Sequence, residues 1–246
     1  MNYDYSMSLK KIFFKTKVTY RIYLYYNLYI RHKGYQKRKQ YSQWGEDLEI
    51  EKFFNNQKNG SYLDIGCYHP FLYSNTYLLF NKGWSGTNID MNPTSIDLFN
   101  IARPEDTNIC TAVSDETKEI KMYFDDPFSP ANTIDEDFYN LSKKTFFKDN
   151  QKKTVNTLKF DEIIKLSNLD NKIDFINIDL EGSDFRILKQ INFNKLQVKL
   201  MSVETHHVDG SRGKDCQQII DLLKINNFNI YKRVGPTTLF NNQYCI

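Results

Sequence analysis

Residues 61–67 read Ser-Tyr-Leu-Asp-Ile-Gly-Cys, and residues 87–90 read Thr-Asn-Ile-Asp. Each is a short, largely apolar run that carries an acid at or next to its end, and in the first a glycine stands two residues after the acid. Runs of this length, bounded by turn residues, predict buried strands. Between them Ser74 is placed to cap a helix carrying Tyr77, Leu78 and Phe80, which Gly83 then stops. Strand, helix, strand, with an acid at each carboxyl end, is the repeating unit of a parallel sheet.

The same alternation continues outward in both directions. Residues 46–55 predict a helix with Leu48, Phe53 and Phe54 inward, and 93–101 a helix with Pro93 at its start. Residues 109–113 predict a third strand, 160–166 a helix, 173–178 a fourth strand and 185–191 a helix. Residues 199–203 predict a fifth strand, 216–225 an amphipathic helix, and 229–244 two final strands. Residues 119–124 read as an extra extended segment, and the polar stretch from there to Lys153 as an insertion. The expected fold is α/β, a mostly parallel seven-stranded sheet with helices on both faces.

Composition sets bounds on this picture. The 246 residues are 26% charged with a mean hydropathy of -0.60, which excludes a polytopic membrane protein. The net charge of +3 is unevenly spread. Residues 1–40 hold ten Lys/Arg against Asp4 alone, whereas residues 41–246 hold 23 Lys/Arg and 29 Asp/Glu. We therefore divide the chain into a basic, aromatic-rich helical leader, residues 1–40, and a mildly acidic body, residues 41–246. Cys67, Cys110, Cys216 and Cys245 are scattered without metal-type spacing, as expected in a reducing compartment. No secretory or spanning segment is legible, so a cytoplasmic protein is expected, with the inner face of the membrane open to the leader.

Ligands of such sheets bind beyond the carboxyl ends of the strands. There Asp64 and Gly66 end the first strand, Asp90 the second, and Asp179 and Glu181 follow the fourth. A glycine turn with an acid on the next strand suits a nucleoside: Gly66 admits close approach, and Asp90 can accept both ribose hydroxyls. Phosphate-binding patterns, G-x-G-x-x-G or G-x-x-x-x-G-K-[ST], are absent. A phosphate-free adenosine fits better than NAD or ATP. S-adenosylmethionine (SAM) meets that description, and its amino and sulfonium groups account for Asp64.

Taken in order, Ser42-Gln43-x-Gly45-Glu46-Asp47, Leu63-Asp64-Ile65-Gly66-x-x-His69-Pro70, Ser74-Asn75-Thr76, Gly83-Trp84-x-Gly86, Asn88-Ile89-Asp90-x-Asn92-Pro93 and Ile178-Asp179-x-Glu181-Gly182 resemble the FkbM-type SAM-dependent methyltransferases. The resemblance runs from about Tyr41 onward. It implies a class I, Rossmann-like methyltransferase fold and O-methylation of a sugar hydroxyl, free, nucleotide-linked or in a glycoconjugate precursor. It further implies that Asp64, Gly66 and Asp90 bind the cofactor, with Gln43, Ser74 and Asn75 near its methionine end and Ser114 and Asp115 beside the adenine. The leader and residues 125–153 lie outside the family pattern.

Methyl transfer to oxygen also needs the acceptor's proton removed. One reading makes His206, or its neighbour His207, the general base, oriented by Asp179 or Glu181. Another adds Mg²⁺ or Mn²⁺ on Asp179 and Glu204, with His206 as a further ligand. Acceptor contacts are expected from residues 125–153 and 206–214. A nucleic-acid methyltransferase is disfavoured by the acidic body and by Asp179-Leu180-Glu181-Gly182 where amino-methylating enzymes carry [DNS]-P-P-[YFW]. The missing glycine fingerprint disfavours a nicotinamide enzyme. For the leader, packing on the body, self-association and peripheral membrane contact through residues 8–39 all remain open.

Overall fold

The computed structural model describes residues 13–55, 57–145, 151–180 and 182–244. Seven strands form the main sheet: β1 (Ser61–Ile65), β2 (Ser85–Asp90), β3 (Thr107–Cys110), β7 (Lys172–Ile178), β8 (Gln197–Glu204), β9 (Phe228–Val234) and β10 (Thr237–Asn242), in the order β3-β2-β1-β7-β8-β10-β9. All pairs are parallel except the two made by β10. The chain moves outward from β1 to β2 and β3, then returns to place β7 on the other side. The boundary between β1 and β7 is therefore where the strand order reverses, the position at which such sheets open a crevice.

Alternation along the strands splits the core in two. Leu63 and Ile65 of β1 pack with Phe160 and Ile163 of α6 (Phe160–Leu166), Ile187 and Leu188 of α7 (Asp184–Leu188), and Ile219 and Leu223 of α8 (Cys216–Ile225). Tyr62, pointing the other way, packs with Ile50 of α2 (Glu46–Phe53), Leu79 of α3 (Tyr77–Phe80) and Trp84. α3 starts where Ser74 Oγ accepts the Tyr77 N–H at 3.1 Å. It stops at Gly83, which takes φ +92°. α4 (Pro93–Ala102) follows β2, capped by Asn92.

Several expectations need correction. The third strand divides: after β3, residues Ala112–Val113 leave the main sheet as β4 and pair with β6 (Gln151–Leu158). β6 also pairs antiparallel with β5 (Glu119–Phe124), so the extended segment expected at 119–124 belongs to a second, three-stranded sheet, completed by a strand at the end of the expected insertion. α5 (Glu136–Ser142), capped by Asp135, lies between β5 and β6. The helix expected over residues 185–191 is only α7. The leader is not one helix: α1 (Lys17–Tyr26) runs into a π-helical turn, Asn27–Arg31, and a 3₁₀ turn, Tyr35–Lys37, while residues 8–12 lie outside the described residues.

The leader packs on the body. Leu24 and Leu28 are buried among Tyr41, Phe71, Tyr77 and Leu98, and Tyr20 donates to Asp97 at 2.7 Å. Buried Asn27 meets His69 Nε2 at 3.0 Å. His69 Nδ1 accepts the N–H groups of Phe71 and Leu72, both at 3.1 Å, so the proton sits on Nε2 and is donated to Asn27. Burial, reinforced by His32, Arg103 and Arg31, holds His69 down at about 3. Among the described residues no helix is long and apolar enough to cross a membrane.

Candidate active site

Residues 41–47 form a closed turn ahead of α2. Asp47 accepts the Tyr41 N–H at 2.7 Å, and Ser42 Oγ accepts the N–H groups of Gly45 and Asp47 at 3.0 and 3.3 Å. Glu46 accepts the Trp44 N–H at 2.8 Å and meets Thr237 of β10 at 3.4 Å. The acids of this motif therefore hold the turn to the sheet, and the turn presents Gln43 to the crevice between β1 and β7.

That crevice is a cavity of about 990 Å³ counted out to its open mouth. Asp64, Asp90 and Asp179 line it at the ends of β1, β2 and β7, together with Gln43, Gly66 and Asn75. Among the described residues no Lys, Arg or His lines it. Gly66 has φ +83°, and a Cβ there would lie 1.8 Å from the Asp179 carbonyl oxygen. Its lack of a side chain is thus demanded first by the packing of the β1 turn on the end of β7, and approach of a ligand comes second. Asp90 crosses the floor of the β2 turn: its oxygens accept the Tyr68 N–H at 2.9 Å and the Asn92 N–H at 2.7 Å. Burial outweighs these two bonds and raises its carboxyl to about 6.

Asp64 is wholly buried and belongs to a longer chain of polar contacts. It accepts from Thr76 Oγ1 at 2.7 Å and Asn177 Nδ2 at 2.9 Å, and Asn177 in turn accepts from Asn75 at 3.0 Å. Behind Thr76 stands Arg103, fully buried at the end of α4, donating to Thr76 at 2.9 Å and to Ser74 Oγ at 3.0 Å. Tyr62 lies against Arg103 at 3.4 Å and donates to Asp106. One cation thus serves two buried acids through hydroxyl groups. Burial raises the Asp64 carboxyl, while Thr76, Asn177 and Arg103 pull it back.

The small sheet and its loops close the cavity from above. Asn92 donates to the Pro127 carbonyl at 2.7 Å, which pins the segment that supplies Ser129, Pro130, Asn132 and Ile134 to the lining. Tyr68 and Tyr73 also line it, both at positive φ (52° and 55°), with rings stacked 6.2 Å apart. Left-handed tyrosines are uncommon and cost of order 1–3 kcal/mol each, so the surrounding contacts must hold them. Tyr68 OH donates to the Phe128 carbonyl at 3.1 Å.

A second cavity opens at the end of β8, lined by Glu204, His206, His207, Asp184, Phe138 and Phe185 among others. Residues 179–180 and 182–184 border both: Leu180 and Ser183 line the first, Gly182 and Asp184 the second. His206 Nδ1 sits 2.8 Å from Thr205 Oγ1, which reaches Thr238 at 2.6 Å. Burial first, then Arg233 and Arg212, hold the imidazole below its ordinary value, so it is neutral at physiological pH. Asp184, buried and accepting from the Leu180 N–H at 3.2 Å, is raised to about 6 by burial.

The Methyltransferase FkbM domain model matches residues 64–230, a span that begins on Asp64 and carries the strand ends of both cavities. The chain belongs to the FkbM methyltransferase family. Methyl transfer is the activity that membership brings. No curated protein matches the chain.

In this FkbM domain the expected cofactor residues separate into two groups. Gln43, Asp64, Gly66, Asn75 and Asp90 line one cavity, joined by Asp179. Ser74 instead turns toward Arg103. Ser114 is buried with its Oγ 3.1 Å from exposed Asp115, and neither lines the cavity; Thr111, Ala112 and Val113 do. Asp179 and Glu204, expected to share a metal, line different cavities. Among the described residues no three His, Cys, Asp or Glu side chains come together in a way that would hold an ion. Among these residues the donor set does not fit a metal centre. His206 is oriented by Thr205 rather than by Asp179, and Glu181 lies outside the described residues. Tyr68, Tyr73 and Arg103 are the residues that sequence reading passed over.

Proposed function

We propose that this FkbM protein is a SAM-dependent O-methyltransferase that acts on a sugar hydroxyl. The observation that carries the reading is the charge of the first cavity: three carboxylates and no cation among its described lining residues. Phosphates would be repelled there, whereas a sulfonium and an ammonium are attracted. The cofactor, when bound, supplies a methyl group on a cationic sulfur. Asp90 would accept its ribose hydroxyls, Ile89, Met91, Ala112 and Val113 offer an apolar seat for the base, and Asp64, Asn75 and Gln43 face the amino-acid end.

The second cavity supports the acceptor. Phe138 and Phe185 offer faces for the C–H side of a sugar ring, and Asp184 and Glu204 offer acceptors for its hydroxyls. His206, kept neutral and with Nδ1 on Thr205, is the general base in this reading, taking the hydroxyl proton as the new C–O bond forms. The test is transfer of labelled methyl from SAM to a panel of nucleotide sugars, with nucleic acid and protein as alternative acceptors, run with wild type and His206→Gln. Labelled sugar with wild type and about 10²-fold or more less with the variant is expected. Label appearing only on nucleic acid or protein acceptors would overturn the assignment of the sugar.

A further inference from the structure

We propose that the outward face of the leader docks on an anionic lipid surface. A helix that merely covers a body turns its apolar residues inward and its polar ones to water. α1 and the π-helical turn that follows it do the first but not the second. Tyr23, Leu24, Asn27 and Leu28 face the body, yet the opposite face carries Val18, Ile22, Tyr25, Tyr29 and Ile30, exposed by 70, 56, 44, 41 and 66%. With Tyr26 and Arg21 these residues line one shallow, open, almost wholly apolar depression. The apolar surface is contiguous, which marks an interaction face.

Charge selects the occupant. Lys15, Lys17, Arg21, Arg31, Lys33, Lys37, Arg38 and Lys39 are all exposed, and residues 13–40 contain no acid. The remainder of the chain is net negative. A second copy meeting this face would bring two basic leaders together, which is repulsive. An anionic bilayer attracts the leader at about 1 kcal/mol for each cation near the surface and repels the acidic body. Tyrosines at the headgroup level with aliphatic residues below them suit a helix lying in the interface plane. The inference is independent of the proposed acceptor.

The test uses the full chain, co-sedimented with phosphatidylcholine vesicles and with vesicles containing about a third phosphatidylserine. The structure predicts binding to the anionic vesicles at least about tenfold above the neutral ones, weakening severalfold from about 0.1 to about 0.5 M salt. Ile22→Ser/Tyr25→Ser/Tyr29→Ser, all at exposed positions, should lose about tenfold in binding while keeping the wild-type melting temperature. Lys17→Glu/Arg21→Glu should weaken binding to the anionic vesicles severalfold and reduce its salt dependence. Equal partition with both vesicle types, binding unmoved by either variant, or a wild-type dimer in sedimentation velocity that the triple substitution dissociates would each overturn the proposal.

Discussion

Asp90 offers a prediction that links protonation to ligand binding. In the unliganded protein its carboxyl is raised from 3.8 to about 6, because burial outweighs the bonds from Asn92 and Tyr68. A ribose diol would bring two further O–H donors, and charge-assisted bonds of this kind are worth about 1.5–3 kcal/mol each. They favour the ionised carboxylate, so the bound complex must have the lower pKa. Affinity for S-adenosylhomocysteine is therefore flat above about pH 6.5. Below about pH 6 it weakens, by up to about tenfold per pH unit. Asp90→Asn keeps one acceptor oxygen and loses the charge. At pH 7.5 it should bind about 10- to 150-fold more weakly, the equivalent of one such bond. It should also show a smaller pH dependence, so that the two proteins converge toward pH 5. Isothermal titration at four or five pH values reads both effects. Wild-type affinity unchanged between pH 7.5 and 5, or a variant that parallels wild type throughout, would refute the role given to this carboxylate.

Other predictions address the base, the support behind the site, and the docking of the leader. His206→Gln should lower kcat by about 10²-fold or more with a modest change in KM, and His207→Gln, at an exposed position, should leave turnover near wild type. Because His206 is held below its ordinary value, kcat should stay level from neutral pH upward and fall only on acidification. Thr76→Val removes a donor from buried Asp64 and an acceptor from buried Arg103, and should cost about 1–3 kcal/mol in urea unfolding. For His69 the folded pKa lies at about 3, below the unfolded value of 6.5, so the unfolded chain binds more protons between them. Stability must then fall as pH drops below about 6.5, by up to about 1.4 kcal/mol per unit from this group. His69→Asn should flatten that part of the profile in thermal melts.

What could be read from sequence follows from burial. β1, β2, β7 and β8 are buried on both faces, so they stand out as short apolar runs, and the acids at the ends of the first three are conspicuous against them. β6 was hidden for the opposite reason: Gln151–Leu158 is rich in Lys, Thr and Asn, and its pattern resembles a loop. Without β6, residues 112–113 look like the continuation of β3 instead of a partner in a second sheet. Tyr68 and Tyr73 owe their place to left-handed backbone in an irregular loop, which no periodicity records. Arg103 sits in an Arg-Pro-Glu-Asp stretch that reads as an exposed turn, and only the tertiary fold brings Ser74, Thr76 and Tyr62 around its guanidinium. Asp179 and His206 both stand out at strand ends, but that they line two neighbouring cavities is a three-dimensional feature.

The central claim is that an acidic crevice between β1 and β7 receives a nucleoside bearing positive charge and no phosphate. Its most direct measurement is parallel calorimetry of the full chain with S-adenosylmethionine, ATP and NAD at physiological salt. The structure predicts one site for S-adenosylmethionine and no heat of binding with either phosphate-bearing nucleotide. Saturable binding of ATP or NAD with none of S-adenosylmethionine would contradict it.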